Sequence, residues 1–242
     1  MIFKNSFQFL KKKIRSLYLY SNIYNRKISL YSDSTLSYKP SPSLLDCLVK
    51  YKKKKIDIDK YSLDKIWVDQ SLIEKDYDNL NSFFWLFSLD LKSSKKETQN
   101  IILKWIEEND RFNSKSWEVD IIAKRVIAWI SNAKLTYEDG GVVYRNKFNN
   151  IIKKQINHLI IEIKKDEWVD DKMIGCAAII LAGLSYSDKE VYLNTGLSLL
   201  RKIIKSSLDN DSFPKSRNIR QLNFYLKYFV LIREWLKEAQ ND

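Results

Sequence analysis

Glycine and proline are nearly missing from this chain: 5 and 3 in 242 residues. Sandwiches, barrels, nucleotide-binding α/β units and phosphate-binding loops all use glycine at their turns, so this scarcity disfavours them and favours an all-α fold. There is one histidine, His158, and there are two cysteines, Cys47 and Cys176. That set builds neither a zinc site nor a disulfide framework, and no metal or other cofactor is expected. No run of 18 uncharged apolar residues occurs, so no transmembrane helix is expected. Residues 1–10 include Lys4, Asn5 and Gln8 and show neither the apolar core nor the small-residue cleavage site of a secretory leader, which reads as cytoplasmic. The sequence contains no GxSxG, Walker or CxxC pattern, and no nucleic-acid-binding motif accompanies its charge, so no nucleic-acid partner is expected.

What is abundant is positive charge and apolar helical periodicity. Lys and Arg number 42 against 30 Asp and Glu, a net charge of +12. Residues 1–60 hold 14 basic and 4 acidic side chains, net +10, which leaves 28 − 26 = +2 for residues 61–242. Residues 1–60 therefore read as a basic, partly irregular extension and residues 61–242 as one folded domain. The runs Lys11-Lys12-Lys13-Ile14-Arg15 and Lys52-Lys53-Lys54-Lys55 suit phosphate, a membrane surface or an acidic polymer, or simply a solvated arm. Ser37-Tyr38-Lys39-Pro40-Ser41-Pro42-Ser43 marks a turn or linker.

From Leu80 the pattern predicts a succession of helices: 80–92, 97–108, 116–133, 142–164, 171–184, 187–204 and 218–239. Ser94 with Glu97, and Ser187 with Glu190, have the spacing of capping boxes. Helices near 97–108, 142–164 and 187–205 are apolar on one face, and those near 117–131, 171–184 and 219–236 on most faces. A helix apolar all round must be covered all round. The alternation predicts two layers of antiparallel hairpins, an incomplete α/α toroid, with a simple up-down bundle as the other arrangement that fits short loops.

Several residues invite chemistry, each with a structural alternative. His158 has no orienting partner visible in the sequence and reads as a packing residue. Asp170-Asp171 opens a helix, where carboxylates complement the dipole. Ser216-Arg217-Asn218-Ile219-Arg220 forms either a corner for a carboxylate or sulfate or a simple Asn cap with solvated arginines. Seven tryptophans include Trp85, Trp117 and Trp129, which can pack in the core or line a groove beneath sugar rings.

Over residues 80–239 these pieces resemble the heparinase II/III family of polysaccharide lyases. Leu80-Asn81-Ser82-Phe83-Phe84-Trp85-Leu86 is similar to its L-H-x-F-x-W-L segment. Trp105-Ile106, then Trp117 through Arg125, Ile127 and Trp129, resembles its W-I … W-x-x-x-x-x-x-x-R-x-I-x-W signature. Gln155 to Leu159 resembles Q-x-x-H-L, Ala182-Gly183-Leu184 the A-G-L that ends an inner helix, and Asp211 to Asn218 the D-G-G-H-x-S-R-N loop of one bacterial branch. The resemblance implies an N-terminal α/α toroid that acts on, or binds, an acidic uronic-acid polysaccharide or oligosaccharide. Arg125, Trp129, Arg217, Asn218 and Arg220 would then be substrate-binding residues. Lyase members eliminate across C4–C5 of a uronate, which needs a group that neutralises the carboxylate, a base and an acid. The Asn-His pair of active members falls on Asp170 and Asp171 here, and the catalytic Tyr on Gln221, so the expected catalytic residues are replaced. The family's C-terminal β-sandwich has no counterpart in the sequence, which implies a partner domain encoded separately or missing. Lyase members are usually exported, so a periplasmic location is the family alternative. The competing reading is a non-catalytic interaction or scaffold domain with a basic arm, or a truncated lyase product.

Overall fold

The computed structural model of the chain describes residues 2–29, 35–41, 44, 74–88, 95–186 and 190–239. Among these residues every regular element is a helix, and the one β-type feature is an isolated antiparallel bridge between Leu208 and Pro214. Helices α1 (Ile2–Leu19), α2 (Asn22–Ile28) and α3 (Glu74–Ser82) precede a 3-10 turn at Phe84–Ser88. Then follow α4 (Lys95–Asn109), α5 (Val119–Ser131), the single turn α6 (Ala133–Thr136), α7 (Val142–Glu162), α8 (Val169–Ser185), α9 (Glu190–Ser207) and α10 (Ile219–Ala239). Both capping-box serines, Ser94 and Ser187, lie outside the described residues, as do Cys47 and Lys52 to Lys55.

The helices pack around one central helix. α8 is the centre: it packs against α5 on one side, α10 on the other, and α7 and α9 behind. Its sequence, VDDKMIGCAAIILAGLS, explains this position, because the run from Met173 to Gly183 is buried on every face and such a helix needs neighbours all round. Glycine sets how close one neighbour comes. A Cβ on Gly183 would sit 2.7 Å from the Leu193 Cα, and one on Gly196 2.6 Å from Ile180 Cγ1, so α8 and α9 meet backbone to backbone. The chain is all-α, and this packing is compatible with an incomplete α/α toroid whose inner helices are α5, α8 and α10.

Within the N-terminal extension residues 35–41 have no regular structure, whereas α1 and α2 are helical. They cover the outer face of α7: Tyr24 and Ile28 are fully buried, Asn157 Nδ2 donates to the Ile28 carbonyl at 2.8 Å, and Arg15 pairs with Glu162. That cover helps bury His158, which Tyr24 meets, whereas Gln155 and Lys153 face inward to Arg125 and the Tyr186 ring. Conversely α10, read as apolar on most faces, leaves Leu226 and Val230 exposed, because α8 is its principal neighbour.

The core is organised around one cation. Arg125, on α5, is fully buried, over the Trp105 ring at 4.0 Å. Its Nη1 donates to the Asn81 carbonyl at 2.7 Å, Nη2 to the Ser116 carbonyl at 2.9 Å and Nε to Gln155 Oε1 at 3.2 Å. One side chain thus ties the end of α3, the loop before α5, and α7. Trp105 Nε1 donates back to Asn81 Oδ1 at 2.8 Å, and Ser116 Oγ donates to Asn109 Oδ1 at 2.7 Å. None of its three acceptors is a carboxylate. Carbonyl dipoles and the ring offset the desolvation that lowers its pKa well below the ordinary value.

Arg125→Met removes a charge but strands three acceptors. We expect a loss of about 3–5 kcal/mol in urea unfolding, with Arg125→Lys recovering only part of it because an ammonium cannot reproduce the planar fork.

Candidate functional site

Several clefts indent the described surface, and three of them are informative. One, between α9 and α10, is lined by Leu200, Phe229 and Ile232 and offers little beyond apolar contact. A second, of about 390 Å³ beside α2, has its charges already paired, Lys147 with Glu107 at 3.0 Å and Lys154 with Asp110 at 3.0 Å. The third, of about 330 Å³, lies where the first turns of α5 and α8 meet, and it carries the chemistry.

Its floor is made by helix starts. α5 begins at Val119 after Glu118, and α8 at Val169 after Trp168; both put acids in their first turn, Asp120 on α5 and Asp170 and Asp171 on α8. Acids in a first turn face the positive end of a helix dipole, so the local sequence preference and the site coincide. Asp171 nevertheless has its pKa raised to about 6, chiefly by burial and then by the charges of Asp120 and Asp166, with Lys124 opposing. Lys124 is held by Asp120 at 2.6 Å. Arg15, arriving from α1, forms the opposite wall and pairs with Glu162. Trp168 stands at the rim, 72% exposed, its backbone N–H donating to Asp166 Oδ1 at 2.8 Å. Trp105, Trp117, Trp129 and Trp235 are by contrast all buried. Among the described residues no group of three His, Cys, Asp or Glu side chains is placed to hold a metal ion.

His158 closes the back of the cleft and is not free to act as a base. The Tyr24 hydroxyl and the His158 Nδ1 share a hydrogen bond of 2.7 Å, the Trp117 backbone bonds the imidazole, and the Phe112 and Trp117 rings pack on it at 5.4 and 5.2 Å. Burial lowers its pKa to about 3, so it stays neutral. Cys176 is likewise buried, its thiol pushed up to about 12, with no thiolate at neutral pH.

Asp170 and Gln221, two of the positions that the resemblance singled out, are in contact. Gln221 Nε2 donates to Asp170 Oδ1 at 2.9 Å, joining α10 to α8, and Gln221 Oε1 accepts from Ser216 Oγ at 2.5 Å. The Tyr225 hydroxyl, one turn further along α10, is buried beside Asp170 and Gln221 without completing a hydrogen bond of its own, and burial raises its pKa. The proposed binding residues divide. Arg125 and Trp129 are 0% exposed and face the core rather than a groove, Trp129 stacked on Phe148 at 5.4 Å. Their helical phase placed them equally well in a core or a groove; the interior bonds of Arg125 decide it. Arg217, Asn218 and Arg220 are exposed at the start of α10. Asn218 caps that helix through Oδ1, which accepts from the Arg220 N–H at 2.9 Å. Arg217 has φ 56° and reaches Asp209 at 2.8 Å. The residues missed from sequence are Asp120, Asp166, Trp168 and Tyr225. No motif marks them; only the first-turn position of Asp120 hinted at its place.

No protein family, curated protein or solved structure matches the chain.

Two pH effects follow. His158 has a folded pKa of about 3 against 6.5 unfolded, so its contribution to stability is present above pH 6.5 and is lost as pH falls toward 3. Its ring NMR signals should stay at neutral-form shifts down to about pH 4. Asp171 has the opposite sign: its pKa is raised from 3.8 to about 6, so ionising it destabilises the fold as pH rises through that span. Asp171→Asn should melt higher than the parent at neutral pH, with the difference gone below about pH 4.

Proposed function

We propose that the chain is a glycan-binding helical domain of the heparinase II/III type that holds a sugar in the cleft at the starts of α5 and α8 and does not perform uronate elimination. The observation that carries the reading is Trp168. It is an exposed indole at the mouth of a cleft that also contains Asp120 and Asp171. An aromatic face beside carboxylate acceptors is the arrangement that stacks a pyranose ring and takes hydrogen bonds from its hydroxyls. Residues 80–239 supply the family side of the proposal through the order and spacing of their motifs.

The chemistry argues against a lyase. β-Elimination requires a donor that neutralises the substrate carboxylate so that the C5 proton becomes acidic. The Asn-His positions of active members hold Asp170 and Asp171, and the Tyr position holds Gln221, which is occupied with Asp170. Two aspartates repel a uronate rather than neutralise it. Against this floor a neutral or amino sugar face fits better than a carboxylate. A second reading keeps the acidic polysaccharide: Arg217 and Arg220 are exposed on the α10 side and could meet uronate or sulfate groups there.

Titration against neutral, amino and uronic-acid oligosaccharides separates these readings. Trp168→Ala should weaken the best ligand about tenfold with the melting temperature unchanged. Arg217→Ala and Arg220→Ala should matter only for an acidic ligand. An intact chain that binds no glycan, or a Trp168→Ala variant of undiminished affinity, sinks the assignment.

A further inference from the structure

No helix among the described residues is long and apolar enough to cross a membrane. The first helix nonetheless has a face that the body of the protein leaves uncovered. Leu10, Ile14 and Leu17 of α1 are 53%, 58% and 68% exposed. At 100° per residue these three fall within about 60° of one another on the helix surface. Arg15 and Leu19, which face the cleft, lie roughly 130–170° from that stripe. α1 is thus held by one side and presents an apolar stripe on the opposite one. Phe3 and Phe7 continue the same three-four spacing in the sequence.

The charge around the stripe is of one sign. Seven Lys and Arg residues and no Asp or Glu precede Asp33, a net +7. On the helical wheel Lys11 and Lys13 flank the stripe on its two sides. Three large aliphatic side chains exposed in one row form a stripe of the kind that marks an interaction surface. Apolar residues along one face, with basic residues bordering them and no acid in the segment, match a helix lying in the plane of a bilayer interface. A protein partner would need only the apolar face; the unbroken positive border specifically complements anionic headgroups.

We infer that α1 is an interfacial helix that seats this protein on an anionic lipid surface, with Leu10, Ile14 and Leu17 entering the acyl boundary and the flanking lysines meeting the headgroups. The inference is independent of the glycan reading.

The test is flotation of the full chain with phosphatidylcholine vesicles, with and without about a third phosphatidylglycerol. Binding is expected only to the anionic vesicles and should weaken steeply as salt is raised. The double variant Ile14→Asp, Leu17→Asp should reduce binding at least about tenfold, and Lys11→Glu, Lys13→Glu similarly, both with unchanged circular dichroism and melting temperature. A parent chain that ignores anionic vesicles overturns the inference, including one that dimerises through the stripe or binds RNA instead. So does an Ile14→Asp, Leu17→Asp variant that binds as tightly as the parent.

Discussion

A guanidinium buried with no carboxylate among its acceptors has to be surrounded by correctly aimed dipoles, and much of this structure is the means of aiming them. The Asn81 and Ser116 carbonyls and the Gln155 side chain come from three separate segments, and Arg125 reaches each of them from α5. Trp105 supplies the ring beneath and in turn fixes the Asn81 side chain. The field of Asp120, one turn upstream on α5, favours the charged form of Arg125. The acidic cleft and the buried cation are therefore electrostatically linked: the carboxylates at the helix starts stand in front of the positive charge that the core encloses.

The cleft itself follows from the packing. α5 and α8 pack against each other, and their first turns line one cleft. Dipole preference brings acids to those first turns, and convergence then makes the acids one another's neighbours. The outcome is a competition between dipole and burial. At Asp171 burial and like charge win, raising its pKa to about 6. α1 and α2 complete the arrangement, since Arg15 and Leu19 wall the cleft and Tyr24 locks His158 behind it.

Periodicity made the helices legible: the bounds of α4, α5, α7, α8 and α10 fall within about three residues of those read from the sequence, because each carries a sustained apolar face. His158 as a packing residue and Asn218 as a cap were legible for the same local reasons. The N-terminal helices were not, since seven basic residues masked a stripe whose partner is not the core. Arg125 and Trp129 could not be assigned to groove or interior from helical phase alone, because α5 is apolar on nearly all faces and the acceptors of Arg125 lie 9 to 44 residues away. The cleft residues Asp120, Asp166 and Trp168 become neighbours through the packing of α5 on α8, and no motif in the sequence reports such a meeting.

The account rests on the cleft at the inner-helix starts being where a ligand sits. Its most direct test is a crystal structure of the chain with the oligosaccharide it binds most tightly. The account predicts a pyranose ring against the Trp168 indole with hydroxyls within hydrogen-bond distance of Asp120 or Asp171, and Arg125 still enclosed. A sugar bound elsewhere, or a ring held through an exposed Arg125 and Trp129, would contradict it.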